Sequence, residues 1–139
     1  ILEILQSFGA LNSRTFKVII KQHPGDRGAI NYKNFIKEKA ELYGISKNIC
    51  FNSTTNADEL INIADGVILI NSTVGINSLL KNKRVHCSGV SVYRELCQNI
   101  ELNEFINNTL NSKYSYDTNN SKFLIKLKNA TQIKGSFHK

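Results

Sequence analysis

The 139-residue sequence contains no methionine, no tryptophan, a single proline and three cysteines. No apolar run approaches the roughly 18 residues that a membrane-spanning helix needs. The cysteine count is odd, and Cys50 and Cys87 fall in predicted strands. We therefore expect no disulfide framework and a reducing compartment. Because the chain has no initiator methionine, we expect it to be a piece of a longer protein.

Several common site motifs are also missing from the sequence. It contains neither the GxGxxG pattern of dinucleotide-binding domains nor the GxxxxGK[ST] pattern of phosphate loops. These absences disfavour ordinary dinucleotide binding and mononucleotide hydrolysis. No cysteine or histidine spacing typical of a metal site occurs, so we expect neither a metal nor a cofactor.

The charge of the chain is strongly basic. Eighteen Lys and Arg residues against eleven Asp and Glu residues give a formal net charge of +7. A basic balance favours anionic partners such as sugar nucleotides, acidic glycans, nucleic acid or a phospholipid surface. Nucleic acid is the least favoured, because the basic residues are scattered and do not alternate with aromatic residues as a stacking surface requires.

Hydrophobic periodicity predicts helices that alternate with short apolar strands. This order is typical of a parallel, doubly wound α/β sheet with helices on both faces. We expect one domain over residues 1–139, with its core at about 14–110 and a peripheral loop, helix and frayed tail at 111–139. The predicted helices are Ile1–Phe8, Ile30–Tyr43, Ala57–Ala64, Val74–Leu80, a turn within Ser91–Cys97, and Leu102–Leu110; the predicted strands are Phe16–Ile20, Ile49–Phe51, Val67–Ile70 and Arg84–Ser88.

Some details of these elements follow from the same periodicity. The segment Lys122–Lys128 stays ambiguous, because it alternates poorly and as a helix would be amphipathic with a basic face. Asn111–Ser121 is expected to be a loop and Asn129–Lys139 to be frayed. The side chains predicted to pack inward include Ile30, Phe35, Ile36, Ala40 and Tyr43, then Leu60, Ile61 and Ile63, and later Val92, Tyr93 and Leu96.

The stretch from Asp65 to Gly89 reads as a strand, a turn, a helix and a second strand. Val67–Ile70 is a continuous apolar run, which predicts a strand buried on both faces. Ser72 or Thr73 is a good N-cap for the helix that follows. The predicted helix therefore begins at the carboxyl edge of a strand, the usual place for a phosphate in open α/β sheets.

A second polar segment, Lys21–Gly28, follows the strand Phe16–Ile20. If this strand and Val67–Ile70 share one parallel sheet, Lys21 and His23 leave it at the same edge as Ser72 and Thr73. A cation, an imidazole and two hydroxyls then face one crevice and suit a phosphate. Taken alone, His23 reads as a surface histidine and Ser72–Thr73 as a helix cap. Gly75 either admits a ligand or gives tight helix–sheet packing.

These residues also resemble a known family. The HPG segment at His23–Gly25, the block ADGVILINSTVGINSLLKNKRVHCSG and a Gly-x-x-x-Tyr that ends at Tyr93 are similar to the capsule polysaccharide biosynthesis and export family. The resemblance covers about residues 16–93.

The resemblance implies one half of a two-domain GT-B glycosyltransferase, the Rossmann-like C-terminal half that binds the nucleotide. Members of this kind transfer Kdo from CMP-Kdo to a glycolipid or polysaccharide acceptor at the cytoplasmic face of the inner membrane of Gram-negative bacteria. The partners implied are therefore a CMP-sugar donor, the N-terminal domain of the same protein, the acceptor and a membrane surface, with no metal.

The resemblance also assigns roles to individual residues. His23 stabilises or protonates the leaving phosphate, Ser72 and Thr73 hold its oxygens, and Lys21 adds positive charge. The remaining substrate-binding residues are Pro24, Gly75 and Asn77. Family members often have Glu-Ala where Asn77-Ser78 stands, and the Glu can bind a ribose, so we expect the nucleotide contacts to differ here.

Two alternatives remain beside this interpretation. The first is a polymerase of similar architecture that uses CDP-alcohols such as CDP-glycerol or CDP-ribitol. The second is a non-catalytic module that binds glycans or couples to export and has lost the chemistry.

Overall fold

The computed structural model describes residues 1–23, 25, 26, 28–111 and 121–131. The helices are α1 (Leu2–Gly9), α2 (Tyr32–Leu42), α3 (Ala57–Ile63), α4 (Val74–Leu80), α5 (Leu102–Asn111) and α6 (Ser121–Thr131). The strands are β1 (Val18–Lys21), β2 (Ile49–Asn52), β3 (Gly66–Leu69) and β4 (Arg84–Cys87), and short 3₁₀ turns occupy Ser46–Asn48 and Arg94–Leu96. The predicted alternation of helices with parallel strands is confirmed.

The described residues group into two compact units. The first contains Ile1–Ala57 and Glu101–Asn111, and the second contains Asp58–Ile100 with the described residues that follow Asn111. Strands β1 and β2 pair in parallel in the first unit, and β3 and β4 pair in parallel in the second. The described strands thus form two-stranded sheets. One continuous, doubly wound Rossmann-like sheet remains a prediction.

The first unit packs three helices and a 3₁₀ turn around an apolar core. Helix α1 contacts both α2 and α5, and α2 contacts β2. The Phe8 and Phe16 rings meet with their centroids 4.9 Å apart. The fully or almost fully buried side chains of this core are Leu5, Ile36, Ala40, Ile45, Phe105 and Ile106.

Helix α2 begins and ends where the sequence favours it. The Asn31 side chain accepts a hydrogen bond from the Asn34 N–H at 3.1 Å, so Asn31 is an N-cap. Gly44 follows the helix with φ of +66°, a conformation that glycine adopts without steric cost. The predicted stop at Gly44 is confirmed.

The second unit is built around helix α4. This helix contacts β3, β4 and α6. The buried cluster consists of Ile76, Leu79, Val85, Cys87, Tyr93, Cys97 and Leu124. Leu124 is fully buried while Lys122 and Lys126 are exposed. The ambiguous Lys122–Lys128 segment is therefore a helix whose basic face is exposed.

Several side chains that the periodicity predicts to be inward are instead exposed. Ile30 is 55% exposed because α2 begins only at Tyr32, so Ile30 lies off the helical stripe. Ile63 is 72% exposed, because it lies about 200° around α3 from the buried Ile61. Val92 is 69% exposed, since it precedes the 3₁₀ turn.

Strand β3 is less buried than its apolar run predicts. Val67 and Leu69 are only partly buried, and Ile70 is 69% exposed. The expectation of a strand buried on both faces is wrong, because all four residues of β3 are only partly buried. Within the described part of the chain, no helix combines the length and apolar character needed to cross a membrane.

The three cysteines are free thiols in contrasting environments. Cys50 on β2 is exposed, whereas Cys87 is 2% and Cys97 6% exposed. Burial raises the pKa of the Cys97 thiol to about 12, with the nearby Cys87 as a second cause. Cys97 therefore stays a thiol, the less nucleophilic form, over the physiological pH range.

We predict that one thiol of the native chain reacts quickly with Ellman's reagent at pH 8 and that two react at least about tenfold more slowly. The fast thiol is Cys50, because it alone among the three is exposed. A Cys50→Ser variant should lose the fast phase, and all thiols should react together in denaturant. A fast phase that persists in Cys50→Ser contradicts the described burial.

Candidate functional site

The loop that follows β1 is tied to the segment after β2 through Lys21. The Lys21 ammonium donates to the carbonyl oxygens of Gln22 and Ser53, both at 3.1 Å. The Gln22 N–H donates to the Asn52 carbonyl at 2.8 Å, which extends the pairing of the two strands by one residue. The Lys21 charge is therefore held at the carboxyl ends of β1 and β2, where the sequence predicts a cation.

His23 is exposed, and its ring is oriented by the loop itself. Its Nδ1 accepts a hydrogen bond from the Gly25 N–H at 3.0 Å. A nitrogen that accepts a hydrogen bond carries no proton, so the neutral ring keeps its proton on Nε2. The loop thus leaves His23 able to donate from Nε2.

Asp26, to which the sequence analysis gave no role, closes the same loop. Its carboxylate accepts from the Gly28 N–H at 3.0 Å and from the Gln22 side-chain amide at 3.1 Å, and its own N–H donates to the His23 carbonyl at 3.0 Å. The hydrogen bond from Gly28, followed by that from Gln22, holds the pKa of Asp26 below its usual range. The Asp-x-Gly spacing that ends at Gly28, whose φ is +74°, is the sequence signal for this turn.

The second predicted half-site is the turn between β3 and α4. Thr73 occupies the N-cap position of α4, but the side chain that bonds the helix backbone is that of Ser72. The Ser72 Oγ accepts from the Val74 N–H at 3.3 Å, and the Ser72 carbonyl accepts from the Gly75 N–H at 2.9 Å. Because the Ser72 hydroxyl accepts in the turn, its proton can be donated to a ligand.

Gly75 lies against the ring of Tyr93. A Cβ atom at residue 75 would lie 2.6 Å from the Tyr93 Cζ and 2.7 Å from its hydroxyl oxygen. The Tyr93 hydroxyl donates to the Ser72 carbonyl, and the side chain is 3% exposed. In the second unit, Gly75 therefore serves tight packing, but against the Tyr93 ring and not against the sheet as the sequence suggests.

Asn77 faces helix α3. Its side-chain amide nitrogen donates to the Asp58 carboxylate at 3.3 Å, while its side-chain oxygen is buried without a hydrogen-bond partner. Lys81 lies 3.7 Å from the same carboxylate and also donates to the Asn62 side chain at 2.8 Å. These contacts join α3 to α4, and a ribose contact by Asn77 stays a prediction.

The predicted site residues fall into the two units. Lys21 and His23 belong to the first unit, whereas Ser72, Thr73, Gly75 and Asn77 belong to the second. Pro24 lies outside the described residues. The convergence of the two sets on one phosphate therefore remains a prediction. Across the described ranges, no group of three or more His, Cys, Asp or Glu side chains is placed to hold a metal ion.

Comparison with known proteins identifies the family. The sequence model of the family described as capsule polysaccharide biosynthesis protein matches residues 1–138. The chain belongs to this family. The capsule polysaccharide resemblance of the His-Pro-Gly and Ser-Thr-Val-Gly segments is thereby confirmed at the level of the family.

Individual members of the capsule polysaccharide family are also similar to the chain. The capsule polysaccharide export protein KpsS of Escherichia coli is 34% identical over 91 residues, which are 66% of this chain and 23% of that protein. The capsule polysaccharide modification protein LipB of Neisseria meningitidis serogroup A is 34% identical over 97 residues, or 67% of this chain and 22% of that protein. The chain thus covers less than a quarter of these relatives. No solved structure matches it.

We predict that Gly75→Ala destabilises the chain by up to about 2 kcal/mol. Helix propensity alone favours alanine by about 1 kcal/mol, but the added methyl group overlaps the buried Tyr93 ring, and overpacking costs about 1–3 kcal/mol. Denaturant unfolding measures the difference. In a Tyr93→Leu background, whose shorter side chain leaves room, the same substitution should become neutral or stabilising. A stabilising effect of Gly75→Ala in the wild-type background would contradict the described packing.

We predict that stability falls as the pH rises from about 9 to about 12. Burial raises the pKa of Tyr93 from 10.0 to about 12, with Cys87 as the next cause, and burial raises that of Cys97 from 9.0 to about 12. The unfolded chain releases these protons first, so their stabilisation is complete below pH 9 and is lost as the pH approaches 12.

Urea midpoints measured between pH 8 and 11.5 test this dependence. Tyr93→Phe should remove the share of the decline that comes from Tyr93 and sets in near pH 10, leaving the share of Cys97, while Tyr43→Phe in the first unit serves as the matched control. An equal decline in Tyr93→Phe and the wild type would show that Tyr93 does not contribute.

Proposed function

We propose that the chain is the donor-binding half of a glycosyltransferase in capsular polysaccharide synthesis and that its donor is a CMP-sugar, CMP-Kdo in the first instance. Family membership over residues 1–138 supports a role in capsule biosynthesis. The observation that carries the proposal further is the geometry of His23, whose Nδ1 accepts from the Gly25 N–H and leaves an exposed imidazole with its proton on Nε2.

The proposed chemistry is stabilisation of a leaving phosphate. When the bond between the sugar and CMP breaks, negative charge develops on the phosphate oxygen that leaves. His23 donates a hydrogen bond from Nε2 to this oxygen, and a fixed donor needs no reorganisation at that moment. Full proton transfer would require the imidazolium, in which Nδ1 also carries a proton and no longer accepts from the Gly25 N–H. Lys21 adds positive charge close to His23 in sequence, so the anion is stabilised without a metal.

Ser72 and Thr73 supply the second set of proposed contacts. The Ser72 Oγ accepts from the Val74 N–H, so its own O–H remains available to donate to a phosphate oxygen. Thr73 adds a neighbouring hydroxyl. In this proposal the loop of the first unit and the turn of the second bind the same phosphate.

The rest of the reaction belongs to parts of the protein beyond these residues. We propose a GT-B arrangement in which an N-terminal domain binds a glycolipid or polysaccharide acceptor and supplies the base that activates it. The same proposal places the protein in the cytoplasm, peripheral to the inner membrane. The relatives' names, an export protein and a modification protein, agree with a capsule pathway.

A non-catalytic glycan-binding module is the second candidate. It is favoured by Asn77, whose amide nitrogen is committed to Asp58 and which stands where many family members carry a ribose-binding glutamate. Such a module would bind an acidic polysaccharide and have no affinity for nucleotides. A polymerase that uses CDP-alcohols is distinguished by its donor alone.

Calorimetric titration of the chain with CMP, CMP-Kdo and CDP-glycerol tests the proposal. We expect CMP and CMP-Kdo to bind, and His23→Ala and Ser72→Ala each to weaken binding at least about tenfold, because each removes a hydrogen bond to a charged group. Ser46→Ala serves as the matched control for the serine substitution and should bind as the wild type does.

The outcomes separate the candidates. Absence of CMP binding at millimolar concentration, or equal binding by a His23→Ala, Ser72→Ala double variant, overturns the proposal. Preference for CDP-glycerol indicates the CDP-alcohol alternative. Binding of acidic polysaccharide without nucleotide affinity indicates the glycan-binding module.

A further inference from the structure

Tyr93 is a buried phenol that lies against the Ser72 turn although none of the proposed chemistry uses it. We propose that Tyr93 is a positioning residue for the Ser72–Thr73 half of the donor site, acting through the backbone of Ser72. This inference rests on the proposed function. Tyr93 is not itself a catalytic residue, because the group that it bonds is a backbone carbonyl rather than a ligand.

The contact between Tyr93 and the turn is specific in geometry. The hydroxyl donates to the Ser72 carbonyl oxygen, which also accepts the Gly75 N–H at 2.9 Å. The ring lies over Gly75 at a distance that leaves no room for a side chain. With 3% of its surface exposed, Tyr93 is fixed by the surrounding core, so it holds the carbonyl in one direction.

Residues 88–93, which follow β4 and include Tyr93, also fix the residues that precede the turn. The Leu69 carbonyl accepts from the Ser88 N–H at 3.0 Å, and the Ile70 carbonyl accepts from the Gly89 N–H at 2.8 Å. A Cβ atom at residue 89 would lie 2.6 Å from the Ile70 oxygen, so the close approach requires glycine. Residues 88–93 therefore bind three carbonyls of the chain that leaves β3.

Gly89 and Tyr93, four residues apart, both contact the chain between β3 and α4. Gly89 lets the backbone approach Ile70, and Tyr93 completes the attachment at Ser72. A hydroxyl that must meet a phosphate oxygen binds most strongly when its position is fixed before the ligand arrives. Tyr93 supplies this preorganisation to the Ser72 Oγ.

The test uses Tyr93→Phe, which keeps the ring against Gly75 and removes the hydroxyl. We expect the dissociation constant for CMP to rise roughly three- to tenfold, the loss of about one hydrogen bond. In a Ser72→Ala background the same substitution should cost clearly less, because the hydroxyl that Tyr93 positions is already absent. The Gly75 amide should exchange its hydrogen several-fold faster in Tyr93→Phe without any ligand.

Val85→Ala is the matched control for stability. It truncates a fully buried side chain of the same core cluster and should lower stability without changing the CMP dissociation constant. Wild-type CMP affinity in Tyr93→Phe, or an equal loss with and without Ser72, would overturn the inference. If the wild-type chain itself does not bind CMP, the proposed function fails, and unchanged exchange at Gly75 would then separately show that Tyr93 does not hold the turn.

Discussion

The packing of Tyr93 on Gly75 organises the second unit. The ring occupies space that any side chain at residue 75 would need, and its hydroxyl is bonded to the Ser72 carbonyl. Helix α4, the exit of β3 and the 3₁₀ turn that follows β4 are therefore linked by a single side chain. Because interiors are closely packed, we expect a change in the Tyr93 ring to affect all three places. The geometry of the turn is set by residues about twenty positions further along the chain.

The two proposed half-sites share a physical feature despite their different sequences. In each, polar groups of the segment form hydrogen bonds with one another. A side-chain donor, His23 Nε2 or the Ser72 hydroxyl, is then left for the ligand that we propose. Asp26 directs its carboxylate to Gly28 and Gln22, which fixes the loop around His23. In the turn after β3, the Ser72 Oγ accepts from the helix backbone. The chain has a net positive charge, and these donors are fixed before a ligand binds. Both features suit an anionic ligand.

Sequence patterns predicted the local elements well because periodicity and caps are local. The strand–turn–helix–strand order around Ser72 and the stop of α2 at Gly44 are both found in the structure. The helical state of α6 could not be predicted, because it depends on the burial of Leu124 in the core cluster that α4 helps to form. The contact between the Tyr93 hydroxyl and the Ser72 carbonyl could not be predicted for the same reason, since the two residues are distant in sequence. Sheet continuity depends on pairing between units, which no local pattern specifies.

We propose that the loop after β1 and the turn after β3 each contribute contacts to the phosphate of the donor. The most direct measurement is a titration of the ¹⁵N-labelled chain with CMP, followed by amide chemical shifts. We expect the amides of His23 and Gly25 and those of Ser72 and Gly75 to shift together, with one dissociation constant. Shifts confined to one of these two segments, or different dissociation constants for the two, would contradict a shared site.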